Sequence, residues 1–363
     1  MKFNNLTRQQ DFIKDDINKS INRVLNHGKY ILGPEVMELE ESLSHFTGSK
    51  FCISTSSGTD ALLISLMAIN LKNGDEVITT PFTFVSTIEV IVLLGAKPIF
   101  VDIEEDTCNI NAEAIEAKIT SRTKAIIPVS LFGQTSDMDR INEIAKLNGN
   151  IAVIEDAAQS FGATYNQKRS CNLSKIGCTS FFPAKPLGCY GDGGAIFTND
   201  ETIDTICRSL RIHGQKKKYE YSRIGIGGRM DTLQCAILLS KFKIFENEIT
   251  LRKNITKRYD QMIDSLGIKR LIVRDNRTSV SAQYCIFVDD RQKLIEFLED
   301  SGIPTAIYYP KPLNEQDAYK KFNKDSMPVA SKVSKKILSL PMSAYLTDKE
   351  QDTIYNLLKK YLN

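Results

Sequence analysis

The stretch Cys178-Thr179-Ser180-Phe181-Phe182-Pro183-Ala184-Lys185-Pro186-Leu187-Gly188-Cys189-Tyr190-Gly191-Asp192-Gly193-Gly194-Ala195-Ile196-Phe197-Thr198 holds two short apolar runs around a turn-rich loop. Cys178–Phe182 and Gly194–Thr198 read as buried strands. Between them Lys185 stands almost without charged neighbours, flanked by Pro183 and Pro186 and crowded by Phe181, Phe182 and Tyr190. The glycines at 188, 191, 193 and 194 let the chain turn back sharply. Two readings of Lys185 are open at this point. A partly desolvated amine has a lowered pKa and attacks carbonyls. Alternatively, the lysine ends a buried strand and snorkels to water.

The same beat of apolar run, turn and helix-length segment extends upstream. Strand candidates are Phe51–Thr55, Glu76–Thr79, Pro98–Asp102, Lys124–Ser130 and Ile151–Glu155. Helical segments fill most gaps: Thr59–Ile69, Val85–Leu94, Ala112–Ile119 and Met138–Leu147. Strands that are apolar throughout and alternate with helices predict an α/β fold, with a mostly parallel seven-stranded sheet between helices. Ligands of such sheets bind beyond the carboxyl ends of the strands. Before the sheet, residues 7 to 27 read as a helix with Thr7 as its cap, and Glu35–Phe46 as a second. After Gly225, Gly227 and Gly228, a long helix is predicted from Asp231 to Ser265. The remainder has a strand at Ala282–Val288 and helices near Arg291–Ser301 and Asp348–Tyr361. The predicted division is a large domain over 1–240 and, over 241–363, the connecting helix with a smaller C-terminal α/β domain.

Composition excludes several classes. The 363 residues are 42% hydrophobic and carry a net charge of +3. Lys216, Lys217 and Lys218, with Arg211 and Arg223 nearby, are too few for a nucleic-acid face and read as a solvated loop. The eight cysteines form no C-x-x-C pair and there are three histidines, so no metal site is expected. No signal-like or membrane-length apolar run is present, which reads as a soluble protein of a reducing compartment.

Chemistry concentrates at three further strand ends. Ser56-Ser57-Gly58-Thr59-Asp60-Ala61 runs from a strand into a helix. Close backbone approach at Gly58, the Thr59 hydroxyl and a helix amino terminus suit a phosphate, and equally an ordinary cap. Asp156, in Val153-Ile154-Glu155-Asp156-Ala157-Ala158-Gln159-Ser160, ends an apolar strand. A carboxylate there needs a partner, for which a protonated pyridine nitrogen is ideal; the plain alternative is a helix cap. In Pro81-Phe82-Thr83-Phe84-Val85 an aromatic can stack on a flat ring or join the core. No Walker lysine and no G-x-G-x-x-G is present. A phosphate pocket, a carboxylate for a ring nitrogen, an aromatic lid and a desolvated lysine together describe one ligand, pyridoxal 5′-phosphate (PLP).

Ser57-Gly58-Thr59-Asp60-Ala61-Leu62, Glu155-Asp156-Ala157-Ala158-Gln159-Ser160 and Ser180-Phe181-Phe182-Pro183-Ala184-Lys185 resemble the sugar-nucleotide aminotransferases of the DegT family, which have the aspartate-aminotransferase fold. The resemblance runs from about Leu6 to about Leu358. It implies that Lys185 binds PLP covalently and moves the proton, that Asp156 meets the pyridine nitrogen, and that Gln159 lies near the ring hydroxyl. It further implies that Phe84 stacks on the ring while Ser180, Gly58 and Thr59 hold the phosphate. Gly28-Lys29-Tyr30-Ile31-Leu32-Gly33-Pro34-Glu35-Val36, Ser170-Cys171-Asn172-Leu173-Ser174, Lys185-Pro186-Leu187-Gly188-Cys189-Tyr190 and Asp231-Thr232-Leu233-Gln234 are similar to the branch that aminates UDP-2-acetamido-2-deoxy-3-oxo-glucuronate with glutamate, releasing 2-oxoglutarate. That branch implies Arg229 on the sugar carboxylate, Tyr308 and Tyr309 at the substrate, a cytoplasmic homodimer with shared sites, and a place in surface polysaccharide (O-antigen) biosynthesis. Two positions depart: Gly227 stands where the family has an asparagine, and Tyr308 where the uronate branch has a histidine. The alternatives are a 3-aminotransferase for a dTDP-3-keto-6-deoxy sugar and a non-catalytic regulator on the same fold.

Overall fold

The structure, a computed structural model, describes residues 1–323 and 325–362. Two helices open the chain, α1 (Leu6–His27) and α2 (Pro34–Thr47). Helix α1 begins at Leu6 without a side-chain cap, so the expected capping by Thr7 is not found; Thr7 lies in the first turn. The sheet region follows as β1 (Phe51–Thr55), α3 (Gly58–Ala68), β2 (Glu76–Thr79), α4 (Ser86–Leu93), β3 (Lys97–Phe100), β4 (Thr123–Ile127), α5 (Met138–Leu147) and β5 (Ala152–Asp156). A small hairpin, β6 (Thr164–Tyr165) and β7 (Lys168–Arg169), precedes β8 (Ile176–Ser180) and β9 (Gly194–Thr198). The helix expected over Ala112–Ile119 is instead two 3₁₀ turns, Ala112–Ala114 and Glu116–Lys118.

The seven long strands form one sheet in the order β1-β9-β8-β5-β4-β2-β3. Only β9 runs against its neighbours. Strands β2, β3, β4, β5 and β8 pair in parallel, each with apolar side chains toward covering helices. Ile53, Val77, Ile127, Ile154, Ile176 and Ile196 pack with Ala61, Ile64 and Leu66 of α3. The other face buries Leu39 and Leu43 of α2 against Phe197. These large side chains remove enough apolar surface from water to hold the sheet between its helices.

Beyond the sheet come α6 (Glu201–Leu210), an exposed hairpin of β10 (Gln215–Lys217) and β11 (Glu220–Tyr221) that carries the basic run, and α7 (Thr232–Ser265). Helix α7 crosses positions 240 and 241 without a break. A three-stranded antiparallel sheet, β12 (Lys269–Arg270), β13 (Tyr284–Phe287) and β14 (Ile337–Leu340), packs with α8 (Arg291–Asp300), α9 (Pro328–Lys336) and α10 (Asp348–Leu362). Its core joins Tyr259 and Ile263 of α7 to Leu294, Leu298, Leu338, Leu340, Ile354 and Leu358. The loop between α8 and α9 packs Tyr308 and Tyr309 against Phe82 and Ile88 of the large sheet region, which joins this smaller unit to it.

Candidate active site

The parallel strands place the carboxyl ends of β1, β5 and β8 on one edge. Antiparallel β9 adds its first residue to that edge: Gly194 pairs with Thr55 on one side and Ser180 on the other. Asp156 lies opposite Cys178 and bridges to Val129. A cavity of about 450 Å³ opens there, walled by the Ser57–Thr59 turn, Phe84, Asp156, Gln159, Ser180 and Lys185 and closed by Tyr308 and Tyr309.

The turn is shaped by close packing. A Cβ on Gly58 would stand 2.7 Å from Ser180 Cβ, and one on Gly194 would stand 2.4 Å from the Ser57 carbonyl oxygen. Helix α3 therefore starts against the last residue of β8. Ser57 Oγ accepts the Asp60 N–H at 3.0 Å, and the Thr59 hydroxyl lies 2.8 Å from Ser86 Oγ. Ser57, Gly58, Thr59 and Ser180 line one part of the cavity together, at the amino terminus of α3, where the first-turn N–H groups lack helical partners.

Asp156 is buried, 6% exposed, and is the last residue of β5 rather than a helix cap. Thr87 Oγ1 donates to its Oδ2 at 2.8 Å and the Ala158 N–H to its Oδ1 at 3.2 Å. Burial pushes its pKa up, while Thr87, Ala158 and the Lys185 charge pull it down. Lys185 shows the reverse: burial lowers its pKa and Asp156 raises it. Lys185 lines the cavity within electrostatic reach of Asp156, as a desolvated lysine rather than one extended to bulk water. Its loop is held by the Lys185 N–H to the Phe182 carbonyl at 2.9 Å.

The two aromatics of Pro81–Val85 separate. Phe82 is core, whereas Phe84 is 53% exposed at the cavity wall, its ring 6.5 Å from that of Tyr309. Gln159 accepts the Phe132 N–H through Oε1 at 3.0 Å and donates from Nε2 to the Tyr309 hydroxyl at 3.4 Å. Burial foremost, then the nearby Asp156 charge, hold the Tyr309 phenol above its ordinary pKa.

Arg229 and Gly227 do not join this group: neither lines the cavity of its own chain. Gly227 abuts His213, where a Cβ would meet Cε1 at 3.1 Å. Their loop is clamped beside the turn, with the Gly228 N–H on the Arg211 carbonyl at 3.0 Å and the Ser56 N–H on the Gly228 carbonyl at 2.9 Å. Asn4, Thr83, Thr87, Asp192 and Gln283 line the cavity without having been singled out in the sequence. For Thr83 and Thr87 a signal existed: two hydroxyls four residues apart at the start of a helix, one turn from a suspected ring-stacking aromatic.

These residues fit PLP. The cradle at Gly58 would be filled by a Cβ, the buried Asp156 has acceptor capacity left for a ring N–H, and Lys185 offers a deprotonatable amine. Among the described residues no cluster of histidine, cysteine and carboxylate side chains could hold a metal ion, and no helix is long and apolar enough to cross a membrane. All eight cysteines are free and buried.

Comparison with known proteins agrees with this geometry. The family model for the DegT/DnrJ/EryC1/StrS aminotransferases matches residues 11–359. The UDP-2-acetamido-2-deoxy-3-oxo-D-glucuronate aminotransferase of Pseudomonas aeruginosa is 54% identical over 346 residues, 95% of this chain and 96% of the relative. The crystal structure of a DegT DnrJ EryC1 StrS aminotransferase from Brucella abortus is 41% identical, superposes with a TM-score of 0.97 and covers both chains completely. NtdA from Bacillus subtilis, solved with bound cofactor PMP, is 32% identical with a TM-score of 0.90, over 96% of this chain and 82% of that one.

Proposed function

The chain belongs to the DegT/DnrJ/EryC1/StrS aminotransferase family, and on that premise we propose that it moves an amino group from glutamate to C3 of UDP-2-acetamido-2-deoxy-3-oxo-glucuronate with PLP in the cavity at Lys185. The observation that carries the substrate is the 54% identity, over nearly the whole length of both chains, to the Pseudomonas enzyme of that name. The cofactor reading rests on the fit above and on the PMP held by NtdA, PMP being the aminated form of PLP.

When bound, PLP supplies an electron sink for carbanion charge. The protein's part follows from its own groups. Gly58, Thr59 and Ser180, with the α3 amino terminus, would hold the phosphate and so anchor the cofactor. Asp156 keeps a proton on the ring nitrogen, which its buried charge favours. Burial lowers the pKa of the Lys185 amine, so it sheds its proton closer to neutral pH and moves one at the reacting carbon. Phe84 and Tyr309, at the cavity wall, would shield the ring from water, and Gln159 bonds the Tyr309 hydroxyl. Two half-reactions on one site give ping-pong kinetics.

Arg229 does not line its own cavity, so in this reading it serves the site of a second copy, where its planar guanidinium suits the sugar carboxylate. The working form is then a homodimer. Eight free cysteines suit a reducing cytoplasm, and the product would enter surface polysaccharide, O-antigen included. Tyr308 and Gly227 favour a second reading, a dTDP-3-keto-6-deoxy sugar as acceptor. Initial rates on the two sugars decide: kcat/KM is expected to be higher on the uronate, and a preference for the deoxy sugar sinks the first reading.

A further inference from the structure

We propose that Thr87 is a positioning residue which, with Thr83, forms a two-hydroxyl relay that holds Asp156 ionised and aimed at the cofactor's ring nitrogen. The inference rests on the PLP reading above. Its basis is the geometry of two hydrogen bonds. An ionised carboxylate only accepts, so the bond of 2.8 Å between Thr87 Oγ1 and Asp156 Oδ2 uses the single Thr87 proton. Thr83 Oγ1 lies 3.2 Å from Thr87 Oγ1. With the Thr87 proton committed, Thr83 must be the donor in that pair. With Asp156 ionised the chain has one polarity, Thr83 to Thr87 to Asp156, and both hydroxyls then serve the charge.

The surroundings make such a relay necessary. Lys185 is the one positive group acting on Asp156 among the described residues. Glu155 on the same strand, Cys178 on β8, Cys171 beyond β7 and Tyr309 from the smaller unit all sit close enough that the Asp156 charge raises their pKa values. Ionising any of them would work against Asp156. When Lys185 is occupied by the cofactor or by a transferred proton, its help changes through the cycle, whereas the Thr87 hydroxyl and the Ala158 N–H are constant. Each carboxylate oxygen has one of these donors, which fixes the rotation of the carboxylate about its Cβ–Cγ bond. Thr87 is fully buried and belongs to α4, so its position is set by the helix rather than by the ligand.

Thr87→Val keeps the shape and removes the hydroxyl; Thr87→Ser keeps the hydroxyl. The test is titration of the cofactor-free protein with PLP and, separately, with a PLP analogue carrying carbon in place of the ring nitrogen. The expected result is a PLP Kd about tenfold higher in Thr87→Val, the loss of one hydrogen bond to a charged group. Thr87→Ser is expected to restore binding, and the analogue to bind wild type and Thr87→Val alike. An unchanged PLP Kd in Thr87→Val overturns the relay, as does an equal loss for the nitrogen-free analogue, which would mark a merely structural role. A wild-type protein that binds no PLP would instead remove the cofactor reading itself.

Discussion

Adding one methyl group at Gly58 tests whether the turn between β1 and α3 is the phosphate site. The added Cβ would fall 2.7 Å from Ser180 Cβ and 3.2 Å from Ser180 Cα, whereas ordinary contact begins near 3.4 Å. Ser180 cannot rotate out of the way, because those atoms belong to a strand end paired with Gly194. Gly194 lies against the same turn, where a Cβ would come 2.4 Å from the Ser57 carbonyl oxygen. The helix start must therefore separate from β8, an overpacking strain of about 1–3 kcal/mol. Alanine offsets about 0.4–1 kcal/mol of that by restricting the unfolded chain, so folding should suffer little. Phosphate binding has no such compensation, since its donors move apart. Gly58→Ala is expected to raise the PLP Kd roughly tenfold to a hundredfold. The assay is titration of cofactor-free protein with PLP and, in parallel, with pyridoxal, which lacks the phosphate. Pyridoxal should bind both proteins alike. An unchanged PLP Kd, or an equal loss for pyridoxal, would refute the assignment of the turn.

Two other outcomes follow from the same site. Lys185→Ala should abolish amino transfer, and borohydride reduction of the PLP-loaded wild type should leave the cofactor on the peptide containing Lys185; label on any other lysine rejects its role. Glu155 is fully buried, and desolvation foremost lifts its pKa from 4.5 to about 7 against the donors Ser170, Cys171 and Ser130. A raised carboxyl pKa stabilises the fold below the unfolded value, and that stability is lost as pH rises through about 7. The loss is about 3 kcal/mol, or about 4 °C in the thermal midpoint of a chain this long. Glu155→Gln should flatten the midpoint across that range, and an undiminished slope in the variant would assign the titration elsewhere.

Lys185, Asp156 and Gly58 were legible in the sequence because each breaks a local rule. A lysine among prolines and aromatics, a carboxylate ending an apolar strand and a glycine opening a helix all conflict with the pattern around them, and such conflicts gather at functional sites. The seven strands were legible for the opposite reason, since short apolar runs between helices obey their period. Helix α9 and strand β14 were not foreseen. Lys336 and Ile337 join them directly, with no glycine, proline or asparagine to mark the change. Pairing with Tyr284–Phe287, distant in the chain, settles Ile337–Leu340 as a strand. Thr87 was missed because its hydroxyl matters only through Asp156, which lies 69 residues away in sequence.

Arg229 marks a different boundary on what sequence can say. A motif can name a residue without telling which cavity it serves, and here the backbone decides. The Gly228 peptide is held between Arg211 and Ser56, and Arg211 is in turn held by Glu40, whose Oε1 it meets at 2.6 Å. Glu40 also receives Arg208 at 2.7 Å and the Ser54 N–H at 2.9 Å. The ion pair fixes Arg211, and the loop is tied to that fixed point through the Arg211 carbonyl. What holds the loop outward is the same brace that fixes the end of β1 just before the Ser57–Thr59 turn. Under the proposed function, Arg229 on this held loop would serve the cavity of a second copy. The carboxylate contact and the proposed dimer therefore stand or fall together.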